Sequence, residues 1–390
     1  YDPRSTDASG VRRAFDQNRI PGERLDPVAV AFLQKVPFPN LPGEVQNDVV
    51  SAPFRNDSDQ YMLRGDHSFG SNDNLFARFS YANMRTFQPY GSTTLNETLV
   101  PGFGYDITTG ARNVALDYTH IFRPNLIHEF RFGYLRATGG QESENAGVDF
   151  AAQSGLQGVT HDPRKVGYPA MGFSDAYSNM GDPSTLTTRR NNSFDYFSTL
   201  SWIRGAHSMK FGGYFFRLRF NPHNPPNARG VFAFTPRFTS STAGAADGNA
   251  FADFLLGYPS TAQVGVGRGE EDGRTTWSHL FAQDDWQVKQ GFTLNGGVRW
   301  EINSQMIETG NRLANIELNR FVIASGDDGK IHPDANALLS AIPVPYLTSK
   351  DAGYDRSLQR PTYRRLAPRL GLAWSPMGSQ KTVVRAGYGL

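Results

Sequence analysis

The stretch Phe292-Thr293-Leu294-Asn295-Gly296-Gly297-Val298-Arg299-Trp300-Glu301-Ile302 decides the fold class. Phe292, Leu294, Val298 and Trp300 take one parity, and Asn295, Arg299 and Glu301 the other. A period of two with unlike faces is the mark of a β-strand, whose successive side chains point to opposite sides. Three residues, 289–291, separate this stretch from a weaker alternating segment over 274–288, in which Leu280, Ala282 and Trp286 share parity with Asp284. In the other direction the next alternating segment begins only at 366. A tight turn on one side and a very long connection on the other sets the pattern to look for elsewhere.

The pattern repeats along the chain. Alternating segments fall at 59–69, 75–83, 111–122, 127–137, 189–203, 208–220, 274–288, 292–302, 366–374 and 382–390. Leu75, Ala77, Phe79 and Tyr81 oppose Arg78 and Ser80, and Phe130, Phe132 and Tyr134 oppose Glu129, Arg131 and Gly133. In 208–220 the spacing sets Tyr214, Phe216 and Leu218 against Gly213, Arg217 and Arg219. Short and long gaps alternate without exception. The short ones carry turn residues, as in Gly70-Ser71-Asn72-Asp73-Asn74, Arg123-Pro124-Asn125-Leu126, Arg204-Gly205-Ala206-His207 and Ser375-Pro376-Met377-Gly378. The long loops cover 84–110, 138–188, 221–273 and 303–365.

Alternating segments of about 9–15 residues, long enough to cross a bilayer at a tilt and joined by tight turns at one end and long loops at the other, describe an all-β, transmembrane, antiparallel up-and-down β-barrel, of which this chain supplies about ten strands. Residues 1–57 precede the strands as a proline-rich loop region, with one short helix starting at Asp26 as N-cap and Pro27 at its first position. Residues 58–390 form the partial barrel. Within the loops, 247–257 reads as a short helix with an apolar stripe of Phe251, Phe254 and Leu255, and 231–235 as a projecting strand. Both chain ends read as cuts through a larger protein.

Composition narrows the classes further. The 390 residues contain no cysteine, which excludes disulfide scaffolds, thiolate metal sites and thiol catalysis. No apolar run reaches the length of a membrane helix, and the mean hydropathy is −0.48. A net charge of +2 gives no basic face for nucleic acid. Aromatics at 13% and 40 glycines beside that low hydropathy fit sheets with one apolar and one polar side. All five tryptophans, Trp202, Trp277, Trp286, Trp300 and Trp374, lie near strand ends, as two interfacial aromatic belts would place them. Seven lysines leave 32 arginines among the 39 basic residues. The fork of arginine suits a lumen wall paired to carboxylates, and genomic base composition explains the bias equally well.

Arg64, Asp66, Arg78, Arg131, Arg217, Arg299, Glu301, Arg369 and Arg385 are the candidate lumen-facing residues, each read equally well as structural wall pairing. No catalytic constellation is present. His128-Glu129 opens like a zinc-protease motif, but Phe132 stands where the second histidine belongs. The chain implies no cofactor. Its acidic loop patches, Glu270-Glu271-Asp272 and Asp327-Asp328, are the candidate positions for a loop-bound calcium ion and otherwise read as solvated loop tips.

Asn18-Arg19-Ile20-Pro21-Gly22-Glu23-Arg24-Leu25-Asp26-Pro27, Val36-Pro37-Phe38-Pro39-Asn40 and Ala252-Asp253-Phe254-Leu255-Leu256-Gly257 are similar to segments of TonB-dependent outer-membrane receptors of the Oar-like type. Phe281-Ala282-Gln283-Asp284-Asp285-Trp286 with Leu294–Glu301, and Ala367-Pro368-Arg369-Leu370-Gly371, extend the resemblance over essentially the whole chain. The resemblance implies a 22-stranded barrel in the outer membrane of a Gram-negative type bacterium, in contact with outer-membrane lipid. It also implies a plug domain inside the barrel, an inner-membrane TonB-type energising complex and a nutrient ligand. Neither plug nor regulatory domain is in this sequence. Two rival readings are a complete ten-stranded outer-membrane hydrolase and a secreted β-sandwich adhesin or sugar-binding module. The sandwich requires short connections at both ends of the sheet.

Overall fold

The computed structural model describes the chain except residues 44–45, 91, 94–95, 98–99, 176, 183–186, 246, 268, 318, 342–343, 360–364 and 377–381. Ten long strands run β1 Arg55–Ser68, β2 Asp73–Gln88, β3 Tyr105–Arg123, β4 Leu126–Ser143, β5 Thr187–Arg204, β6 His207–Phe220, β7 Gly273–Lys289, β8 Phe292–Asn303, β9 Arg365–Trp374 and β10 Val384–Gly389. Each of the ten alternating segments falls on one of them. They pair in sequence order, each antiparallel to the next, from β1 at one edge to β10 at the other. Two short strands, Pro222–His223 against β5 and Ile307–Glu308 against β7, complete a twelve-stranded sheet. One continuous meander replaces the two packed layers that a sandwich requires.

The turns explain the pairing. Arg204 pairs with His207 and Lys289 with Phe292, so two residues make each connection. Gly205 and Gly291 take φ values of +59° and +77° there, a conformation open to glycine at no steric cost. The last short turn falls partly on residues 377 and 378, which lie outside the described residues.

Register assigns every side chain to a face. Leu63, Phe79, Val114, Tyr134 and Phe194 are successive cross-strand partners and define an aromatic face. Arg64, Arg78, Ala115, Gly133 and Asp195 stand beside them on the polar face. Neither face is covered within the molecule. Among the described hydrophobic residues that are buried, only Tyr105 belongs to a long strand.

The buried core lies instead at the end of the long loops. It combines α1 (Pro27–Leu33), α2 (Phe150–Ser154) and α3 (Ala250–Leu255) with a three-stranded sheet of Ala170–Phe173, Val231–Phe234 and Thr261–Gln263. Asp26 caps α1 by accepting from the Val28 and Ala29 amides at 2.9 and 3.1 Å, with Pro27 at the first position. Asn249 caps α3, accepting from the Ala252 amide at 2.9 Å. Phe32 is the hub. Its ring centroid lies 5.7 Å from Phe103, 5.5 Å from Phe150 and Tyr168, and 6.2 Å from Phe254. Burying each such ring is worth about 1.5–3 kcal/mol. We call this unit the cap.

Residues 1–34 are therefore part of the cap. The Tyr1 main-chain nitrogen donates to the Thr239 carbonyl at 2.8 Å, and the Asp26 amide to the Leu255 carbonyl at 2.8 Å. Arg12 Nη1 donates to the carbonyls of Arg237, Phe238 and Ser240 at 3.1, 3.0 and 2.9 Å. The last long loop folds separately, with strands Ala314–Glu317, Arg320–Ile323 and Tyr346–Thr348 over Val322, Ala324 and Leu358, and with α4 (Pro333–Ala341) exposed.

Candidate functional site

Eight of the nine candidate wall residues share the polar face by register. Arg217 does not. It pairs with Phe194 and Thr276 and so continues the aromatic rung, which corrects the expectation for 208–220. Aromatic side chains occupy both parities of β6, with Phe211 and Phe215 on one face and Tyr214 and Phe216 on the other. Trp277 is the second correction. Four tryptophans lie on the aromatic face, but Trp277 stands on the polar face, its ring 4.8 Å from Phe216.

Charges on the polar face are mostly spent on one another. Arg64 holds Asp66 at 2.7 Å and lies 4.5 Å over the Phe76 ring. Arg131 reaches Asp117 at 3.0 Å and also pairs with Glu129. Arg299 and Glu301 stand 3.8 Å apart, and the Tyr214 hydroxyl donates to Asp195 at 2.7 Å. Arg78, Arg369 and Arg385 have no carboxylate partner among the described residues. Between the ion pairs lie glycines. The Phe281 ring lies across Gly212, where a Cβ would meet it at 2.5 Å, and stacks on Phe197 at 6.0 Å. The result is a polar but nearly neutral wall with aromatic patches.

His128 and Glu129 part company in the same way. His128 lies on the aromatic face with its Nε2 2.9 Å from Ser198 Oγ, while Glu129 takes Arg131 on the other. The acidic loop patches are likewise engaged. Glu270 faces Arg164 at 3.2 Å and His223 at 3.7 Å, Asp272 pairs with Arg274 and accepts from Thr309 at 2.7 Å, and Asp328 holds Lys330 at 3.1 Å. No group of three or more His, Asp or Glu side chains is arranged for a metal among the described residues.

The cap carries its own electrostatics. Asp182 is fully buried and accepts from Asn145 Nδ2 at 2.7 Å and the Tyr168 amide at 2.8 Å, with Arg229 at 3.7 Å. Burial pushes the Asp182 carboxyl up and the Arg229 guanidinium down, and each charge offsets part of the other's desolvation. Asp253, also buried, accepts from the Phe238 and Thr239 amides at 2.8 Å each, and burial raises its carboxyl too. Near the surface, the bidentate Arg24 fork holds Asp2 well below the carboxylate range, at about 2.

In the last long loop a polar cleft of about 450 Å³ opens between Ser325, Asp327, Ser349, Lys350, Asp355 and Arg356. Sequence reasoning passed over this cleft and over α2. The latter had a readable signal, since Asp149 caps its start and Gly155 ends it at φ +80°.

A family model described as an outer membrane beta barrel domain matches residues 1–390. Among solved structures, BauA, the ferric preacinetobactin receptor of Acinetobacter baumannii, is 10% identical with a TM-score of 0.42, covering 86% of this chain and 39% of that one. The copper transporter OprC is 10% identical with a TM-score of 0.44, covering 86% and 37%. The outer membrane transporter YddB of Escherichia coli is 10% identical with a TM-score of 0.39, covering 94% and 41%. The chain thus spans about two-fifths of the length of these structures. No curated protein matches it.

Proposed function

The chain belongs to the outer membrane β-barrel family and so to the outer membrane of the cell, and from that premise we propose that it is barrel wall and loop cap of a TonB-dependent receptor. The cap and the last loop capture a nutrient at the cell surface. The polar face lines the passage, meeting a plug domain supplied by the rest of the protein, and an inner-membrane TonB-type complex energises uptake. The observation that carries this reading is the asymmetry of the meander. Short connections close one end, three of them turns of two residues, whereas the long connections fold at the other. A barrel that served only as a pore or an anchor has no need of a cap with its own aromatic core. The wall supports the same reading, because ion pairs internal to the face leave it polar without trapping a passing solute.

The test is accumulation of labelled siderophore–iron, oligosaccharide, peptide and vitamin probes by cells with and without the full-length gene. We expect one probe class to accumulate only with the gene and to stop when a protonophore collapses the proton gradient. Accumulation that ignores the protonophore sinks energised uptake. For the accumulating probe, Lys350→Ala with Arg356→Ala in the cleft raises the half-saturating concentration if the last loop takes part in capture.

A further inference from the structure

On the aromatic face, toward the long loops, the rung Tyr81, Arg112, Arg136, Asn192, Arg219 and Arg274 runs through six successive strands. Arg112 and Arg136 are direct cross-strand partners, as are Arg219 and Arg274. Arg190 lies one step outward on β5 and Arg217 one step inward on β6. Like charges placed opposite one another destabilise a sheet unless something neutralises them.

Carboxylates do so only at the margins. Asp106 takes Arg85 at 2.9 Å further out, and Asp272 takes Arg274. Among the described residues no carboxylate lies within ion-pair distance of Arg112, Arg136, Arg190, Arg217 or Arg219. On the polar face Arg64, Arg131 and Arg299 have acidic partners whereas Arg78, Arg369 and Arg385 do not, so what sets this region apart is five such arginines gathered on four adjacent strands. Arg112 and Arg219 instead stand over the Tyr81 and Phe194 rings, each 5.7 Å from the ring centroid. At the centre of the row the Arg136 Nε–H is buried with no acceptor among the described residues. A buried donor left unpaired is costly, and a ligand oxygen there would relieve that cost.

Height identifies the ligand. Arg136 stands ten residues above Leu126, the turn-side end of β4. Ten residues at about 3.3 Å each, tilted by roughly 40°, rise about 25 Å, the height of the apolar band of an outer-membrane strand. The row therefore sits at the headgroup level of the loop-side leaflet, and the next rung inward, Val114, Tyr134 and Phe194, is apolar or aromatic. We propose that Arg112, Arg136 and Arg219, flanked by Arg190 and Arg217, form a binding site for the phosphate groups of a phosphorylated lipid in the outer leaflet, whose acyl chains lie along the aromatic band. The proposal rests on the aromatic face being the lipid-facing one. Neighbouring strands about 4.8 Å apart let two guanidinium forks grip one phosphate.

The test uses full-length protein in detergent, with three probes: bisphosphorylated lipid A, the same lipid dephosphorylated, and inorganic phosphate. Native mass spectrometry should show the wild type retaining the bisphosphorylated lipid at least tenfold better than the dephosphorylated one, with inorganic phosphate unable to displace it. R112Q/R136Q/R219Q should lose that preference while keeping heat-modifiable migration, the sign of a folded barrel. The corresponding triple lysine variant should keep part of it. R136Q alone serves if the triple variant does not fold. Equal retention by wild type and the glutamine variants overturns the proposal, as does indifference to the lipid's phosphates. Full displacement by inorganic phosphate overturns the lipid as ligand. The polar-face variant R64Q/R299Q should leave retention unchanged; equal loss there overturns the outward assignment. Uptake measurements bear on the transporter reading alone, and lipid retention on this one alone.

Discussion

The cap and the sheet are both rich in aromatic and aliphatic side chains, yet they treat them in opposite ways. Phe32 and Phe254 are 0% and 1% exposed, whereas Leu63 and Leu370 on the sheet are 71% and 64% exposed. A protein folded wholly in water hides its largest apolar surface against itself. Among the described residues the internal cores lie at the long-loop end, and the sheet leaves its apolar face uncovered. The same residue types serve two solvents, and what separates them is which end of a strand they follow.

The largest expected effect lies in the cap. Phe32→Ala removes the ring that Phe103, Phe150, Tyr168 and Phe254 all touch, and should cost about 3–5 kcal/mol of cap stability. Limited proteolysis should then cut the segments around α1 and α2 while the strands keep heat-modifiable migration. If the strands are lost with the cap, the two regions are one cooperative unit. Next is the sheet. Phe132→Arg, in the middle of the aromatic face between Leu116 and Tyr196, should destabilise insertion by about 2–4 kcal/mol, measured by refolding into vesicles in urea. Ser80→Arg on the polar face should be nearly neutral. Equal costs would mean the faces are assigned the wrong way round.

Smaller effects sharpen the picture of the cap. Asp26→Ala removes the acceptor for two α1 amides and should cost about 1 kcal/mol, read as faster amide exchange in Val28–Phe32. The Asp2–Arg24 pair gives a pH signature. The Asp2 carboxyl is lowered from 3.8 to about 2 in the folded protein, so its stabilisation is fully present above pH 4 and is lost as pH falls through 2. Proteolysis at the N-terminal segment should rise over that window in wild type and much less in Asp2→Asn.

Most of the sheet was legible in the sequence, because each strand has two unlike faces and the turns between them are short. Its failures have physical reasons. On β4 the strand runs on through Gly139-Gly140-Gln141-Glu142-Ser143, small or polar on both parities, so alternation stops before the strand does. On β6 both parities carry aromatics, and only pairing with β5 and β7 settles which face holds Arg217. Trp277 follows the weakest of the ten patterns. Of the cap, the helices at 27–33 and 250–255 and the strand at 231–234 were legible but their meeting was not, since the core joins Phe32, Phe103, Phe150 and Phe254 from four segments distant in sequence, and no periodicity records such a meeting.

The bond from the Tyr1 main-chain nitrogen to the Thr239 carbonyl spans 238 positions along the chain. Hairpins such as β5–β6 and β7–β8 close over two residues, but this closure must wait until the strands between have been placed. We expect such a contact to form late on the folding route, after the rate-limiting barrier. Damage to it should then leave the rate of assembly untouched and shorten the lifetime of the finished cap. The segment over residues 1–34 fastens the cap by contacts that close only over long stretches of chain.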